Sequence, residues 1–596
     1  MSGPDFRPAR PVKKDQPLMT RHTNRKALSM AKVIVDRADI IAGALAFDES
    51  RRGQKRLVSL RTFLIIALAF KIQKPKQSWS LSNIARFAFE LTHTERQLVG
   101  LADFAGTNDH FEANLAALVR LLEPEDSHHR VDPQTGEVRP RPTGLLTLDQ
   151  FCNRIVEASI PPVFQPAQVQ ALDSTDVPTS ARRMYGPRKP DPVVDDQYSP
   201  PQPEKEDVEV RAKAGWPRKG HDGRLQCSVD PDARVGWRTQ TEDHDTHAFN
   251  GYDLHLLVDA GFVGYETIVY FIRGMLLRPA GSYKAAAGLA LIDSLHHGFE
   301  AEWLASDRGY SYCKADNWAF QLDQRGIKYV HDLHTNQRRQ RNPIRDKRAI
   351  WIDGTLFSTA LPQEMRQLKN FTIGMTDDEK RELREKYERR MSYAFMNNGA
   401  EKPDGSVQQK GPARSGRLRC PNHAASGRYA RTKPETKCKP HDCDCGGTTM
   451  VYPQESSRER QPLPFGTTRW AEIYGMRTAV ESANSNLKMW RGVLNRHGSS
   501  VFGTTPNAIL LALQCAAINV SLLHDAYDNK VTIKTAKSEH VPPKRRRRGA
   551  PRALHQRRAR SKTRLTGPQP VTQGRRRSAL GQPASRLTMK DAPAHE

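Results

Sequence analysis

The segment "YGMRTAVESANSNLK" (474–488) gathers Tyr474, Arg477, Glu481 and Lys488. At about 100° per residue, these four side chains fall within an arc of about 60° on one side of a helix. Ile473, Met476, Val480, Leu487 and Trp490 form an apolar face beside them. A solvated stripe would give the same pattern, but surface helices usually mix Glu and Lys at spacings of three and four. Here a single Glu stands among an Arg, a Lys and a Tyr. One carboxylate does little chemistry alone, and the sequence offers two partners. Asp173 ends "VQALD" and Asp307 ends "AEWLASD". A carboxylate that ends an apolar strand is costly unless it is solvated, paired or bound to metal. Two such aspartates and one helical glutamate could hold two divalent ions about 3.5–4 Å apart, the geometry of in-line phosphoryl transfer. Hard oxygen ligands suit Mg²⁺, with Mn²⁺ as a substitute. One ion would activate water or a 3′-hydroxyl, and the other would stabilise the leaving oxygen. Arg477 and Lys488 would contact DNA phosphates or hold the acidic site in register, with Tyr474 packed near the backbone. Each aspartate taken singly is more often a cap or turn residue, and Asp176 in "DSTDV" is a second candidate for the first ligand.

A second cluster lies in "CPNH" (420–423) and "CKPHDCDC" (438–445). Cys420, His423, Cys438, His441, Cys443 and Cys445 are candidate ligands, and a set of four could bind structural Zn²⁺. Cys420, His423, Cys438 and Cys443 are the expected set. The spacings are irregular, and reduced loop thiols are the alternative.

The elements that would position these groups follow from periodicity and composition. Residues 1–50 are polar and read as a flexible segment. Residues 51–125 carry helical periodicity and read as an all-helical, DNA-binding domain. Within it, "TFLIIALAF" (62–70) reads as a buried helix, too short for the ~20 residues of a membrane span. "SLSNIARFAFELTHTERQLVGL" (80–101) reads as two helices around a short turn, a helix-turn-helix or an ordinary hairpin. Residues 126–150 read as a linker. From 151 to 334 strands dominate: "QVQALDST" (168–175), pieces of 223–238, "AFNGYDLHLLVDA" (248–260), "YETIVYFIR" (265–273), "EAEWLASDRGYS" (300–311) and "GIKYVHDL" (326–333). "SYKAAAGLALIDSLHHG" (282–298) is the predicted helix among them, with Gly298 as its C-cap. Residues 335–465 are rich in Arg, Pro and Gly and read as an insertion. Residues 466–528 return to helix, and 529–596 read as a disordered basic tail. Strands followed by helix, strand and helix predict an α/β fold, a mixed sheet with helices on its faces.

Composition narrows the partners. The 596 residues carry a formal net charge of +27. About half of it lies in 541–596, where sixteen Lys/Arg face two Asp/Glu and the run "KRRRRG" brings Arg545, Arg546 and Arg547. Such runs contact nucleic-acid phosphates or act as solubility tails. The opening "MSGPDFRPARPVKKDQ" has no apolar core of a signal peptide, and eight cysteines do not make a disulfide framework. The expectation is a cytoplasmic protein acting on nucleic acid, with no membrane partner. No glycine-rich nucleotide loop points to a small-molecule enzyme.

Together these residues resemble the DDE transposases of bacterial insertion sequences, in the branch marked by a Tyr-Arg-Glu-Lys helix. That signature has two, three and six residues between its members, as do Tyr474, Arg477, Glu481 and Lys488. "LDSTDV" (172–177) is similar to the family's first-Asp strand and "ASDRGYS" (305–311) to its second-Asp motif. "SVDPDARVGWR" (228–238) and "NGYDLHLLVD" (250–259) resemble the strands between, so the likeness spans about 165–525. The resemblance implies an RNase H-like catalytic domain (151–334 and 466–528) interrupted by the insertion between second Asp and Glu. It also implies Asp173, Asp307 and Glu481 as catalytic and Mg²⁺-binding residues. The implied activity is cleavage and strand transfer at the element's terminal inverted repeats, on double-stranded DNA, by a dimer near the nucleoid. A transposase-derived, noncatalytic DNA-binding protein and an RNase H-like nuclease without strand transfer are the alternatives.

Overall fold

The computed structural model describes residues 23–40, 56–184 and 215–528, apart from 102–105, most of 125–144, 239–246, 264–268, 344–347 and 373. The basic tail with Arg545, Arg546 and Arg547, most of the expected linker, and most of 1–50 lie outside these residues.

Among the described residues, five helices come first: α1 (Asn24–Arg37), α2 (Leu60–Gln73), α3 (Leu81–Glu90), α4 (His93–Leu98) and α5 (Asn108–Leu122). Helix α1 corrects the expectation of a wholly flexible 1–50. Its Ala27, Leu28, Ala31, Ile34 and Val35 are buried at helical spacing, which gives a polar-looking segment one apolar face. The expected buried helix is α2, whose residues from Thr62 to Lys71 are all buried. Ser80 and Thr92 cap α3 and α4, the two-helix unit read at 80–101.

After α6 (Leu148–Ala158) comes a mixed six-stranded sheet: β1 (Val169–Pro178), β2 (Arg234–Arg238), β3 (His247–Gly261), β4 (Ile272–Pro279), β5 (Trp303–Ser306) and β6 (Lys328–His331). Strand β3 is the spine. It pairs antiparallel with β1 along one edge, and with β2 and then β4 along the other. Beyond β1 the pairing turns parallel, β1 to β5 and β5 to β6. Helix α7 (Lys284–Asp293) makes the crossover from β4 to β5.

Two boundaries differ from expectation. Strand β4 runs from Ile272 to Pro279, so it shares only Ile272 and Arg273 with the expected "YETIVYFIR" (265–273), and its middle is buried on both faces without alternation. Helix α7 ends at Asp293 with Ser294 as its C-cap, well before Gly298.

Two buried asparagines close the outer edge of β4. Asn519 bonds the Ile272 N–H and C=O (2.9 and 2.8 Å), and Asn153 accepts from the Met275 N–H at 2.7 Å. Covering unpaired strand groups in this way removes an open sheet edge.

One sheet face packs on α7 and on Tyr310, Trp318 and Leu322. The other belongs to a large continuous core shared with α1, α2, α3, α5, α6 and the last helix, Thr504–Asp528. That last helix is the described segment long and apolar enough to cross a membrane, and 78% of its most apolar window is buried inside the protein. It therefore reads as a core helix.

The insertion carries a hairpin (Ala349–Ile352 and Thr355–Ser358), a helix at Asp377–Arg390 and a three-stranded sheet (Met396–Asn397, Val407–Lys410, Thr448–Val451). It has small apolar clusters of its own.

Candidate active site and four-cysteine cluster

The expected aspartates stand side by side. Strands β1 and β5 pair Leu172 with Ser306, so Asp173 and Asp307 are the next residues on adjacent parallel strands, spaced about 4.8 Å apart. Strands β5 and β6 pair Ser306 with His331, which puts Asp332 at the end of the third strand. The three carboxylates are anchored alike. Asp173 accepts from the Ser174 N–H (2.7 Å), Asp307 from Arg308 (2.7 Å) and Asp332 from Leu333 (2.9 Å). Burial, and then the Asp307 charge, raise the Asp173 carboxyl above its usual range. Burial raises Asp332 as well.

The segment carrying Tyr474 to Lys488 crosses these strand ends, but not as one helix. It runs as a helix at Thr468–Tyr474, a 3₁₀ turn at Gly475–Arg477, a helix at Thr478–Ser485 and a π turn at Asn486–Trp490. The 3₁₀ turn seats Met476 against β3, where a Cβ at Gly261 would lie 2.8 Å from its sulfur. A side chain there would have to displace the flexible Met476 thioether.

Arg477 spans the site. Its guanidinium bonds Glu481 at 2.6 Å and lies 3.6 Å from Asp173. Despite its burial, Tyr474, Glu481, Asp173 and Asp307 raise its pKa, so it is a fixed cation. It also lies 5.7 Å from the centre of the Tyr474 ring. Burial raises the Tyr474 phenol and keeps it neutral.

Lys488 bonds Asp176 at 2.7 Å, and Arg238 reaches the same carboxylate at 3.3 Å and Asp253 at 2.8 Å. Burial alone would raise Asp176, but Lys488 and Arg238 outweigh it and lower the carboxyl. Asp176 is thus neutralised by two cations, while Asp173 faces a second acid. Of the two candidates, Asp173 is the one beside a second acid, with Arg477 3.6 Å away.

Glu481 is half exposed. Asp173, Asp307 and Glu481 do not form a closed set: among the described residues, the group of metal-ligating side chains gathered tightly is one of cysteines.

The sequence reading missed several neighbours. Asp332 ends "YVHD", an apolar run closed by an acid like those of Asp173 and Asp307, so the same rule would have found it. Lys284, at the start of α7, stands 5.7 Å over the Tyr310 ring, and its charge acts on Asp173. Its ammonium lies 3.0 Å from where a Cβ at Gly309 would be. His255 Nδ1 is 2.8 Å from the Tyr310 hydroxyl, and burial pushes its pKa down to about 3, leaving a neutral imidazole. No local pattern announces Lys284 or His255, since both arrive through the sheet and its crossover.

In the insertion, Cys420, Cys438, Cys443 and Cys445 meet, with all four sulfurs within 4.8 Å of one another. This set could bind a metal such as zinc. It corrects the expected one: Cys445 takes the place of His423. The His423 ring instead packs over Gly446, where a Cβ would lie 2.7 Å from Nδ1. His441 is exposed and 3.1 Å from Asp442.

No protein-family model matches this chain, and no curated protein or solved structure matches it.

Proposed function

We propose that this chain cuts and joins DNA as a DDE transposase with an RNase H-like catalytic domain. The observation that carries this reading is the pairing of Asp173 and Asp307 on adjacent parallel strand ends, with Arg477 spanning Asp173 and Glu481. A mixed sheet that turns from antiparallel to parallel at β1 supports it as well.

The donor chemistry fits Mg²⁺. Two adjacent carboxylates, one pushed toward its protonated form by burial first and then by the charge of the other, would be relieved by a divalent cation. Asp173, Asp307 and Glu481 are the residues that would hold it. When bound, such ions supply activation of water or a 3′-hydroxyl and stabilisation of the leaving oxygen. Arg477 keeps Glu481 and Asp173 on one side of the site. Lys488 ties the π turn to β1 through Asp176. The basic tail adds salt-sensitive, nonspecific affinity for double-stranded DNA. Joining two element ends calls for a dimer in the DNA complex, acting in the cytoplasm at the nucleoid.

The test is a supercoiled plasmid carrying the gene's native flanking DNA, incubated with purified protein and Mg²⁺, with breaks and joints mapped. Glu481→Ala and Asp307→Ala run in parallel. Breaks at the element ends with rejoined products, absent in both variants, are expected. Binding without breaks would leave a noncatalytic DNA-binding protein. Breaks without joined products would leave a nuclease.

A further inference from the structure

We propose that Cys420, Cys438, Cys443 and Cys445 bind one structural zinc ion that closes the core of the insertion. The sulfur spacing is the first argument. Cys420 and Cys443 lie 3.4 Å apart, and Cys438 and Cys445 3.7 Å. Four sulfurs about 2.3 Å from a central zinc stand about 3.8 Å from each other along the edges of a tetrahedron. Disulfides would draw sulfurs together in pairs, to about 2.05 Å. Here all four sulfurs are mutual neighbours within 4.8 Å, the arrangement one ion needs.

The surroundings are the second argument. Cys420 and Cys445 are members of an apolar cluster with Ile350, Ile352, Phe357 and Leu418, and Cys438 and Cys443 pack against it. Next to them, the Ser358 hydroxyl lies 3.3 Å from the Cys445 sulfur and donates to the buried Asp444 carboxylate. The Cys445 carbonyl accepts from Ala413 at 2.9 Å and Arg414 at 3.2 Å. The ligands thus join three stretches that are far apart in sequence: the hairpin at 349–358, the turn at 411–420 and the segment 438–445. Soft thiolates in a closed tetrahedron select zinc over the hard ions that suit carboxylates.

The third argument is size. The cluster around the cysteines is small, and a metal would add a cross-link between the three stretches that meet there. The ion is therefore a part of the insertion's fold. This inference stands apart from the DNA-cleaving reading, since it concerns metal content and not activity.

The test is metal analysis of the full chain purified without chelator, with alkylation of its cysteines followed by mass spectrometry. One zinc per chain is expected, with four cysteines slow to alkylate until chelator is added. Cys445→Ser should lose the metal by at least the about 10–100-fold that even loss of an outer partner costs. His423→Ala and Cys313→Ser should keep it. Because Cys445→Ser could fail to fold, cobalt exchanged into the unaltered protein gives a second reading, the intense thiolate-to-cobalt absorption of a tetrahedral four-sulfur site. A chain that carries no metal, that carries iron instead, or whose four cysteines are found as disulfides would overturn the proposal. So would loss of zinc in His423→Ala.

Discussion

Asp173 sits where a carboxylate is hard to keep ionised. It is mostly buried and neighbours Asp307, and its pKa is raised by burial first and by that second charge next. Arg477 and Lys284 offset the effect without cancelling it. A raised folded-state pKa means that the protonated form is the more stable one in the fold. The stability it brings is present at low pH and lost as pH rises through the folded value. Replacing the residue by a neutral isostere should remove that loss. Asp173→Asn is therefore expected to melt at a higher temperature than the unaltered protein at pH 7, with Arg477 still held by Glu481. The advantage should shrink as pH falls through the raised pKa of Asp173 and vanish near the ordinary carboxylate range. On the proposed reading, Mg²⁺ should raise the melting temperature of the unaltered chain more than that of the variant, which lacks the Asp173 carboxylate. Thermal melts from pH 4 to pH 8, with and without Mg²⁺, check this. An asparagine variant less stable at every pH would mean that the ion pair with Arg477 outweighs burial.

At the scale of elements, the segment that carries Tyr474 to Lys488 is held by a run of aromatic rings. Phe371 stacks on Tyr387 at 5.6 Å, Tyr387 meets Phe465 at 5.9 Å, Phe465 meets Trp470 at 4.6 Å, and Trp470 stacks on Tyr474 at 4.8 Å. The run starts in the insertion and ends beneath Arg477. Trp470 is its hinge, and its indole N–H also donates to the His331 carbonyl of β6 at 3.3 Å. Trp470→Ala should cost about 3–5 kcal/mol of stability. On the proposed reading it should also lower DNA cleavage at temperatures where circular dichroism shows a folded chain. Trp470→Phe keeps the stack, loses the hydrogen bond and should cost about 1 kcal/mol, with cleavage retained. Equal cleavage by Trp470→Ala and the unaltered protein would show that the ring run does not position Arg477. The residues of this site were legible in the sequence to the extent that each local pattern recorded its own position. "VQALD" and "WLASD" end apolar runs in acids, and the structure sets those acids abreast. The helix stripe was legible as a set of neighbours, but a uniform 100° step cannot register the 3₁₀ turn at Gly475–Arg477 or the π turn at Asn486–Trp490. Those two changes of pitch let Lys488 bond Asp176 while Glu481 stays with Arg477. The cysteine ligands were half legible for a related reason. Spacing names the sulfurs, but which four meet depends on how the turn at Pro440–Asp442 folds back, and that brings in Cys445 in place of His423.

Across the whole molecule, the Pro- and charge-rich stretch at 126–150 suggests two independent domains, a helical one before it and a sheet after it. The packing joins them. Buried residues of α1, α2, α3 and α5 belong to the same apolar cluster as one face of the sheet and the last helix. The backbone adds a clasp: Trp79 N–H donates to the Gly498 carbonyl at 2.7 Å, and Ser500 N–H donates to the Trp79 carbonyl at 3.0 Å. Composition could not reveal this, because a linker's sequence states that the chain turns there and not whether the parts separate. Burying one large apolar side chain stabilises by about 1.5–3 kcal/mol, and α2 alone buries Phe63, Leu64, Ile65, Ile66, Leu68 and Phe70. Neither half can lose that surface to water and stay folded. The N-terminal helices and the sheet should therefore unfold in one cooperative transition. A fragment of 51–125 should be largely unstructured, and a chain from 145 onward should aggregate or expose its last helix to protease. Limited proteolysis and calorimetry of the full chain and of both fragments check this. A stable, helical 51–125 fragment would restore the reading of a separate domain, and DNA recognition could then be sought in it alone. If the halves melt as one, any DNA contact made by the N-terminal helices is rigidly joined, through α2 and the last helix, to the strand ends that carry Asp173 and Asp307.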